Sequence, residues 1–178
     1  MVSRLSSSIR KRLGGIKLLL CDVDGVLTDA GIFIGAGIEL KRFDIQDGLG
    51  IVTLRREGIK VGWISSRPSP ATIQRAEELK IDFLLQQKGS KVAVIEQLLL
   101  KDGLRWADVC YIGDDIVDLG PLKRAGVAVA VPNGVAETKA LAHYVTRAPG
   151  GRGAVREVVE LILKAQRKWD NVVTAQKR

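Results

Sequence analysis

The sequence predicts an α/β fold built on a largely parallel sheet. Short apolar runs recur along the chain, and between them lie stretches in which apolar residues repeat at helical spacing. Strands that alternate with helices pair in parallel, because each crossover helix returns the chain to the same end of the sheet. A hairpin near the start of the chain is the one interruption of this alternation.

The predicted strands are short and mostly apolar, as expected for strands buried between two helical layers. In chain order they cover residues 16–21, 60–64, 82–85, 108–112 and 127–131. The predicted helices carry apolar residues on one face. They cover residues 49–56, 71–79, 91–100, 119–125 and 153–169.

A β-hairpin flap is predicted beside the first strand. Residues 31–34 and 39–43 favour β-structure, and Gly35-Ala36-Gly37 separates them. Glycine at this spacing is typical of a tight hairpin turn. We therefore expect this segment to form a wall next to whatever lies at the end of the first strand.

The chain has the length of one domain. Its 178 residues are 46% hydrophobic and 27% charged, which is typical of a globular protein. We assign residues 16–170 to the domain and residues 171–178 to a polar tail. Residues 1–15 are expected to form a flexible basic arm, because their serines and glycine pair bury nothing.

Charge and cysteine content narrow the class of function. The net charge of +8 is spread along the helices, without a basic stripe interleaved with aromatic residues and without zinc-ligand spacing, so a nucleic-acid partner is disfavoured. Cys21 and Cys110 lie in predicted strands, which favours a reducing, cytoplasmic setting. We see no stretch apolar and long enough for export or for a membrane span, and expect no membrane partner.

Acidic residues follow two of the predicted strands at the point where each ends. Asp22 and Asp24 follow the first strand, and Asp114 follows the fourth. Ligands of open parallel sheets bind at this edge, and residues two apart in a strand point the same way. Carboxylates about 4 Å apart repel by about 4 kcal/mol at an effective dielectric near 20. The cluster therefore needs a cation, and Mg²⁺ is the expected cofactor.

This arrangement suits phosphoryl transfer. Asp22 is ionised at neutral pH and can attack phosphorus without a general base, and water can hydrolyse the resulting acyl phosphate. Asp24 is expected to protonate the leaving oxygen and later to take a proton from water. Ser65 and Lys91 are the candidates for stabilising charge on the transferring group.

Each of these signals alone has an ordinary structural explanation. Acids after a strand often cap the next helix, Ser65 precedes a helix start at Pro68, and Lys91 alone is typical of a solvated helix surface. The four signals are independent of one another, and all of them occur in the required order along an α/β chain. The combination therefore favours a magnesium-dependent phosphatase.

These residues resemble the four motifs of the haloacid dehalogenase superfamily. The match includes residues 22–29, the 46–50 turn, Gly113-Asp114-Asp115 with Asp118, and the glycine-arginine string over residues 144–157. Over about residues 16–168 the chain resembles the capless 3-deoxy-D-manno-octulosonate 8-phosphate (Kdo 8-phosphate) phosphatase family. The late string is the part most specific to that family.

The resemblance implies a Rossmann-like three-layer sandwich without a cap domain, a homotetramer, and hydrolysis of a phosphorylated sugar acid in the synthesis of the lipopolysaccharide sugar Kdo. It implies that Asp22 is the nucleophile and a metal ligand, that Asp24 binds the metal through its carbonyl, and that Asp114 is the third protein ligand. The substrate contacts that it implies are Asp24, Asp44, Ile45, Gln46, Asp47, Gly48, Arg67, Arg75 and Lys91.

The Gly150-Gly151-Arg152-Gly153 segment is a second candidate wall of the site. Glycines let the backbone approach a ligand closely, and an arginine can bind a carboxylate bidentately. We expect Arg152 to bind the sugar carboxylate, with the segment closing its own site or a neighbour's. The alternative is a flexible turn that caps the last helix.

Three other functions remain as alternatives. Gln46, Leu49 and Ser66 depart from the residues usual in the family near the sugar, which keeps open a phosphatase for a nine-carbon sialic-type sugar phosphate. A non-catalytic scaffold of the same fold is disfavoured because the expected catalytic aspartates and lysine are present. A phosphomutase usually carries a cap domain that this chain is too short to include.

Overall fold

The structure, a computed structural model, describes residues 6–177. Six parallel strands form its central sheet and helices cover both faces of that sheet, so the predicted α/β sandwich is confirmed. Within the described residues the strands are β1 (Leu18–Asp22), β2 (Phe33–Gly35), β3 (Ile38–Leu40), β4 (Lys60–Ser65), β5 (Phe83–Gln86), β6 (Val109–Gly113), β7 (Val127–Ala130) and β8 (Tyr144–Val145).

The order of strands across the sheet places β1 near its centre. That order is β5-β4-β1-β6-β7-β8, with β1 paired in parallel to β4 on one side and to β6 on the other. The chain therefore leaves β1 toward one side of the sheet and later crosses to the other. Such a switch point opens a crevice at the carboxyl ends of the strands. Asp22, Ser65 and Gly113 are the last residues of the three strands that meet there.

Two helical layers enclose the sheet. One apolar core packs the sheet against the helices over residues 7–14, 45–56, 70–78 and 154–165, and the other packs it against the helices over residues 91–102 and 119–124. The helices of the described chain are α1 (Ser7–Gly14), α2 (Ile45–Arg56), α3 (Pro70–Glu78), α4 (Lys91–Asp102), α5 (Leu119–Arg124), α6 (Ala136–Leu141), α7 (Ala154–Ala165) and α8 (Trp169–Ala175). Across residues 6–177, every helix is too short or too polar to cross a lipid bilayer.

Helix α7, late in the chain, packs against α1 and α2, which come early in the chain. Val155, Val158, Val159, Ile162 and Leu163 are fully buried on one face of this helix. Burying each such side chain stabilises the fold by about 1.5–3 kcal/mol. These side chains belong to one apolar cluster with residues of α1 and α2, and α7 contacts both helices.

Both ends of the chain are more regular than the sequence predicted. Residues 7–14 form α1, so the prediction of a flexible arm is wrong there: the Ser6 hydroxyl accepts a hydrogen bond from Ile9 N at 3.2 Å, and Leu13 is 2% exposed. The predicted helix over residues 153–169 ends at Ala165. Helix α8 then continues the domain past residue 170 to Ala175. Residues 1–5 of the predicted arm and residue 178 of the predicted tail lie outside the described residues.

The predicted hairpin is confirmed and presents an apolar outer surface. Strands β2 and β3 pair antiparallel around Ala36 and Gly37, whose φ angles of 50° and 76° are both positive, as a type I′ turn requires. Four large apolar side chains of the hairpin are more than half exposed. They are Phe33, Ile34, Ile38 and Leu40.

Candidate active site

Asp22 lies beside Lys91 at the carboxyl edge of the sheet. Lys91 Nζ donates to Asp22 Oδ1 at 2.5 Å and to Asp118 Oδ1 at 2.7 Å, and all three side chains are buried. Lys91 is the first residue of α4, whose start is fixed by the Ser90 hydroxyl accepting from Ala93 N at 3.4 Å. One ammonium group is thereby held against the aspartate at the end of β1.

Asp118 anchors this edge of the sheet, a role that the sequence analysis did not assign. Its Oδ1 also accepts the Tyr111 hydroxyl at 2.6 Å, and its Oδ2 accepts the backbone N–H groups of Asp114 at 3.0 Å and Asp115 at 3.3 Å. These bonds fix the loop after β6. The sequence did contain a signal for this role, because Asp118 is the third acidic residue of the motif over residues 113–118.

Asp114 reaches the loop after β1 because residue 25 is a glycine. A Cβ atom at Gly25 would lie 2.1 Å from Asp114 Oδ2, and the φ of Gly25 is +102°. Among the described residues, Asp114 Oδ1 is buried without a hydrogen-bond partner. Carboxylate oxygens of Asp22, Asp114 and Asp118 lie within 4.8 Å of one another.

The electrostatics of this acidic group call for more positive charge than Lys91 supplies. Burial, and then the charge of Asp118, raises the pKa of Asp22 well above its usual range despite Lys91. The same two causes raise the pKa of Asp114 to about 6. Burial lowers the pKa of Lys91, but the charges of Asp22 and Asp118 outweigh it and the pKa is raised. A cation among these oxygens would keep the carboxylates ionised.

The donor set fits a hard divalent cation. It consists of carboxylate oxygens, one of them buried and unpartnered, and oxygen ligands of this kind select Mg²⁺ over soft metals. Within the described residues the close carboxylates are those of Asp22, Asp114 and Asp118; β1 ends at Asp22, so strand alternation does not extend to the Asp24 side chain. A contribution of Asp24 through its backbone carbonyl stays a prediction.

The Asp24 carboxylate is paired with Lys41, which the sequence analysis missed. Lys41 Nζ lies 2.6 Å from Asp24 Oδ1 and donates to Thr72 Oγ1 at 3.3 Å. The Lys41 side chain is completely buried, whereas that of Asp24 is 24% exposed. Lys41 lies inside the predicted hairpin strand 39–43, but in the structure β3 ends at Leu40, so strand alternation does not place its side chain.

Ser65 and Arg67 belong to a loop that is tied to the hairpin. Ser65 ends β4 and is 3% exposed, and its hydroxyl accepts from Arg67 N at 3.1 Å and donates to Arg67 O at 3.0 Å. The Arg67 guanidinium donates to Glu39, which also accepts the Ser69 hydroxyl at 2.5 Å. The hydrogen bonds from Arg67 and then Ser69 lower the pKa of Glu39.

Residues 44–48, expected to contact substrate, form the start of α2. Asp44 is the N-cap of that helix, and its Oδ1 accepts from Gln46 N at 2.7 Å and from Asp47 N at 3.1 Å. The helix predicted from residue 49 therefore begins four residues earlier, at Ile45. Ile45 and Gln46 are exposed, whereas Asp47 and Gly48 are buried.

The side chain of Asp47 caps α7, and its contact with a substrate stays a prediction. Its oxygens accept from Gly153 N at 3.3 Å and Arg156 N at 2.6 Å, and the residue is 2% exposed. The N-cap residue of α7 is Gly153, which has no side chain with which to cap the helix. Burial raises the pKa of Asp47 to about 6, against the lowering effect of the hydrogen bond from Arg156 N.

Arg75 is a residue of α3, and its side chain packs against the start of α2. Its Nη1 donates to Glu78 Oε2 at 2.7 Å, and its guanidinium packs so tightly on Gly48 that a Cβ there would lie 2.5 Å from Nη2. The side chain is 13% exposed and lines a cavity of about 430 Å³ between the hairpin and α3. Its contact with a substrate stays a prediction.

The glycine-rich segment before α7 rests on the loop after β1. Gly151 N donates to Val26 O at 2.9 Å, and a Cβ at Gly150 would lie 1.7 Å from Gly25 O. Asn133 bridges the two loops, because its amide accepts from Gly150 N at 2.7 Å and donates to Gly25 O at 2.8 Å. The glycines thus support the loop after β1 of their own chain, while the neighbouring Arg152 is exposed.

The sequence of this chain is similar to that of a known family of hydrolases. Residues 68–157 match the family model of haloacid dehalogenase-like hydrolases. The 3-deoxy-D-manno-octulosonate 8-phosphate phosphatase of Yersinia pestis is 41% identical over 167 residues, which cover 93% of this chain and 89% of that protein. The chain belongs to the 3-deoxy-D-manno-octulosonate 8-phosphate phosphatase family of these hydrolases.

Solved structures of this family share the fold over nearly the whole chain. The Moraxella catarrhalis phosphatase, solved with magnesium, phosphate and KDO, is 41% identical with a TM-score of 0.92 and covers 94% of this chain and 97% of its own. A cobalt-bound family member from Haemophilus influenzae is 37% identical with a TM-score of 0.85, covering 88% and 92%. The names of these relatives do not favour the nine-carbon substrate or the non-catalytic scaffold.

Proposed function

We propose that this chain is a Mg²⁺-dependent phosphatase that hydrolyses Kdo 8-phosphate to Kdo and phosphate through an aspartyl-phosphate on Asp22. The observation that carries the proposal is the placement of Asp22 at the end of β1, hydrogen-bonded to Lys91 at 2.5 Å within the acidic group. The substrate is inferred from the family members named above.

Asp22 is the nucleophile in this mechanism. Its carboxylate attacks phosphorus, the bond from phosphorus to the sugar oxygen breaks, and an acyl phosphate forms on Asp22. Asp24 donates a proton to the departing sugar oxygen. Water then attacks the phosphorus of the acyl phosphate, Asp24 takes a proton from that water, and release of phosphate restores Asp22.

The remaining residues stabilise charge and hold the site in shape. Lys91 compensates charge on Asp22 and on the transferring group. The Ser65 hydroxyl, at the end of the neighbouring strand, would turn from Arg67 O to donate to a phosphoryl oxygen. Asp118 holds Lys91 and the loop that carries Asp114. Bound Mg²⁺ would be held by Asp22, Asp114 and the Asp24 carbonyl and would neutralise phosphoryl oxygens.

Substrate specificity is proposed to come from cationic groups around this edge. Arg67, beside Ser65, and Arg152, beside the loop after β1, are the candidates for contacts with the sugar acid. Asp44, Ile45, Gln46, Gly48 and Arg75 are proposed to shape the site from the start of α2 and from α3.

The functional unit is proposed to be a homotetramer in the cytoplasm. Phe33, Ile34, Ile38 and Leu40 form an exposed apolar surface on the hairpin, which a second copy would cover. Cys21 and Cys110 are free and buried in adjacent strands, which is compatible with a reducing compartment.

A substrate panel tests the proposal. Phosphate release would be measured with Kdo 8-phosphate, a nine-carbon sialic-type sugar phosphate and glucose 6-phosphate, each with and without Mg²⁺. We expect kcat/KM to be highest for Kdo 8-phosphate and turnover to require the metal. A higher kcat/KM for the nine-carbon substrate would replace the proposed sugar, and no release from any phosphate ester would overturn the phosphatase itself.

A further inference from the structure

We propose that Lys41 is a positioning residue that orients the Asp24 carboxylate for proton transfer to the leaving group. The inference rests on the proposed function, in which Asp24 is the acid and base. It adds a residue of the hairpin to the machinery, although the Lys41 side chain is completely buried and has no surface open to a substrate.

The geometry shows why Asp24 needs such a partner. Asp24 lies beyond the end of β1, so the hydrogen bonds of the sheet do not fix its backbone as they fix Asp22. Its side chain is 24% exposed, whereas that of Asp22 is 9% exposed. Lys41 Nζ, 2.6 Å from Asp24 Oδ1, is the ion-pair partner of this carboxylate within the described residues.

Lys41 is itself held from two directions. Its ammonium donates to Thr72 Oγ1 at 3.3 Å, and Thr72 is buried in the first turn of α3. Two residues earlier, within β3, Glu39 accepts the Ser69 hydroxyl at 2.5 Å and binds Arg67. Glu39 in β3 and Lys41 just after that strand are therefore both attached to the start of α3, and this attachment sets where the Lys41 ammonium can lie.

The chemical consequence depends on the leaving group. A sugar alkoxide is a poor leaving group and needs a proton from Asp24 as the bond to phosphorus breaks, whereas an activated phenolate needs none. If Lys41 orients Asp24, its loss must slow transfer from an alkyl phosphate far more than transfer from an aryl phosphate. A residue that only stabilises the hairpin would affect both substrates alike.

The test compares kcat/KM for Kdo 8-phosphate and for p-nitrophenyl phosphate, because kcat/KM reports the step in which Asp22 is phosphorylated. Lys41→Met is expected to lower the first by about tenfold or more and the second by less than about threefold. Lys41→Arg, which keeps the charge, is expected to recover part of the loss. Equal losses on the two substrates would overturn the inference.

The matched control is Lys60→Met. Lys60 also forms an ion pair with an aspartate, Asp102, at 2.7 Å, but it begins β4 at the opposite edge of the sheet. This variant is expected to leave the ratio of the two kcat/KM values unchanged. If Lys41→Met does not fold, Lys41→Gln is judged by the same ratio, and an unchanged ratio in that variant counts against the inference.

The same design separates this inference from the proposed function. If the wild-type enzyme hydrolyses p-nitrophenyl phosphate but not Kdo 8-phosphate, the proposed substrate is wrong while the phosphatase activity is retained. The ratio would then be measured with another primary alkyl phosphate that the enzyme does hydrolyse. A change of that ratio in the Lys41 variants supports the inference, and an unchanged ratio contradicts it.

Discussion

The carboxylate of Asp47, in the first turn of α2, accepts a hydrogen bond from the backbone nitrogen of Arg156, in the first turn of α7, at 2.6 Å. The start of one helix thereby caps the start of another that follows it by about a hundred residues of chain. This capping carboxylate is 2% exposed, so its ionisation is coupled to folding.

The first prediction concerns the pH dependence of stability. Because the pKa of Asp47 is raised from 3.8 to about 6 in the folded protein, the folded state binds a proton that the unfolded chain releases. The contribution of Asp47 to the free energy of unfolding is therefore largest below about pH 4. It decreases by up to about 3 kcal/mol as the pH rises through about 6. Asp47→Asn lacks this titration and keeps an accepting oxygen.

Urea unfolding of both proteins at about pH 4 and about pH 8 checks this prediction. The free energy of unfolding of the wild type minus that of Asp47→Asn should decrease between the two pH values. A difference that stays constant or increases would show that burial does not dominate the ionisation of Asp47.

The nucleophile gives the second prediction. Asp22→Asn keeps the shape of the side chain but removes its negative charge, so kcat should fall by at least about a thousandfold while the fold persists, since Lys91 keeps Asp118 as a partner. Phosphate release and circular dichroism would be measured on the same preparation. Near-normal turnover by this variant would contradict the assignment of Asp22.

The third prediction concerns the metal. EDTA should abolish phosphate release and Mg²⁺ should restore it, because the acidic group lacks sufficient positive charge without a cation. Asp114→Asn should raise the Mg²⁺ concentration needed for half-maximal rate by about tenfold or more. The control is Asp115→Asn, an exposed neighbour, which should change that concentration little. Full activity in metal-free buffer would rule out the metal.

The fourth prediction concerns substrate recognition. Arg152→Ala should lower kcat/KM for Kdo 8-phosphate by about 1–3 kcal/mol of transition-state binding, as expected for a lost hydrogen bond to a charged group, while sparing p-nitrophenyl phosphate. Arg105→Ala is the control, because Arg105 is 80% exposed and lies just before the amino end of β6. Equal losses on both substrates would exclude a contact between Arg152 and the sugar acid.

The fifth prediction concerns assembly. Ile34 is 77% exposed on the hairpin, and a lysine in its place would put charge into the proposed contact between subunits. Ile34→Lys should shift the protein from tetramer to smaller species in light scattering coupled to size exclusion. Leu100→Lys, at an 85% exposed position on α4, should not. A wild-type monomer with full activity would refute the tetramer.

The fold was predictable because strands and helices alternate with clear periodicity. Misplaced boundaries have local causes: Asp44 starts α2 before the apolar pattern begins, and a single buried leucine, Leu13, holds α1 in place. Strand β8 has only two residues, too few for a period-two pattern. Its position depends on pairing with β7 rather than on its own sequence.

The candidate site was predictable where a residue ends or directly follows a strand, and at Lys91, which begins α4. Asp22, Ser65 and Asp114 are placed by the sheet itself, whose strand ends converge. Lys41 and Asp47 are placed by contacts with residues far away in the sequence, Thr72 and Arg156. Such contacts depend on how the layers pack, and no local pattern in the chain reports them.

Gly150 and Gly151 support the loop after β1. This contact affects when, during synthesis of the chain, the protein can become active. Chains emerge from the ribosome amino end first, so Asp22, Lys91 and Asp114 are all synthesised before the two glycines that hold the loop. A nascent chain that has reached residue 118 carries every proposed catalytic side chain without that support. We expect it to acquire phosphatase activity only when α7 has emerged and docked.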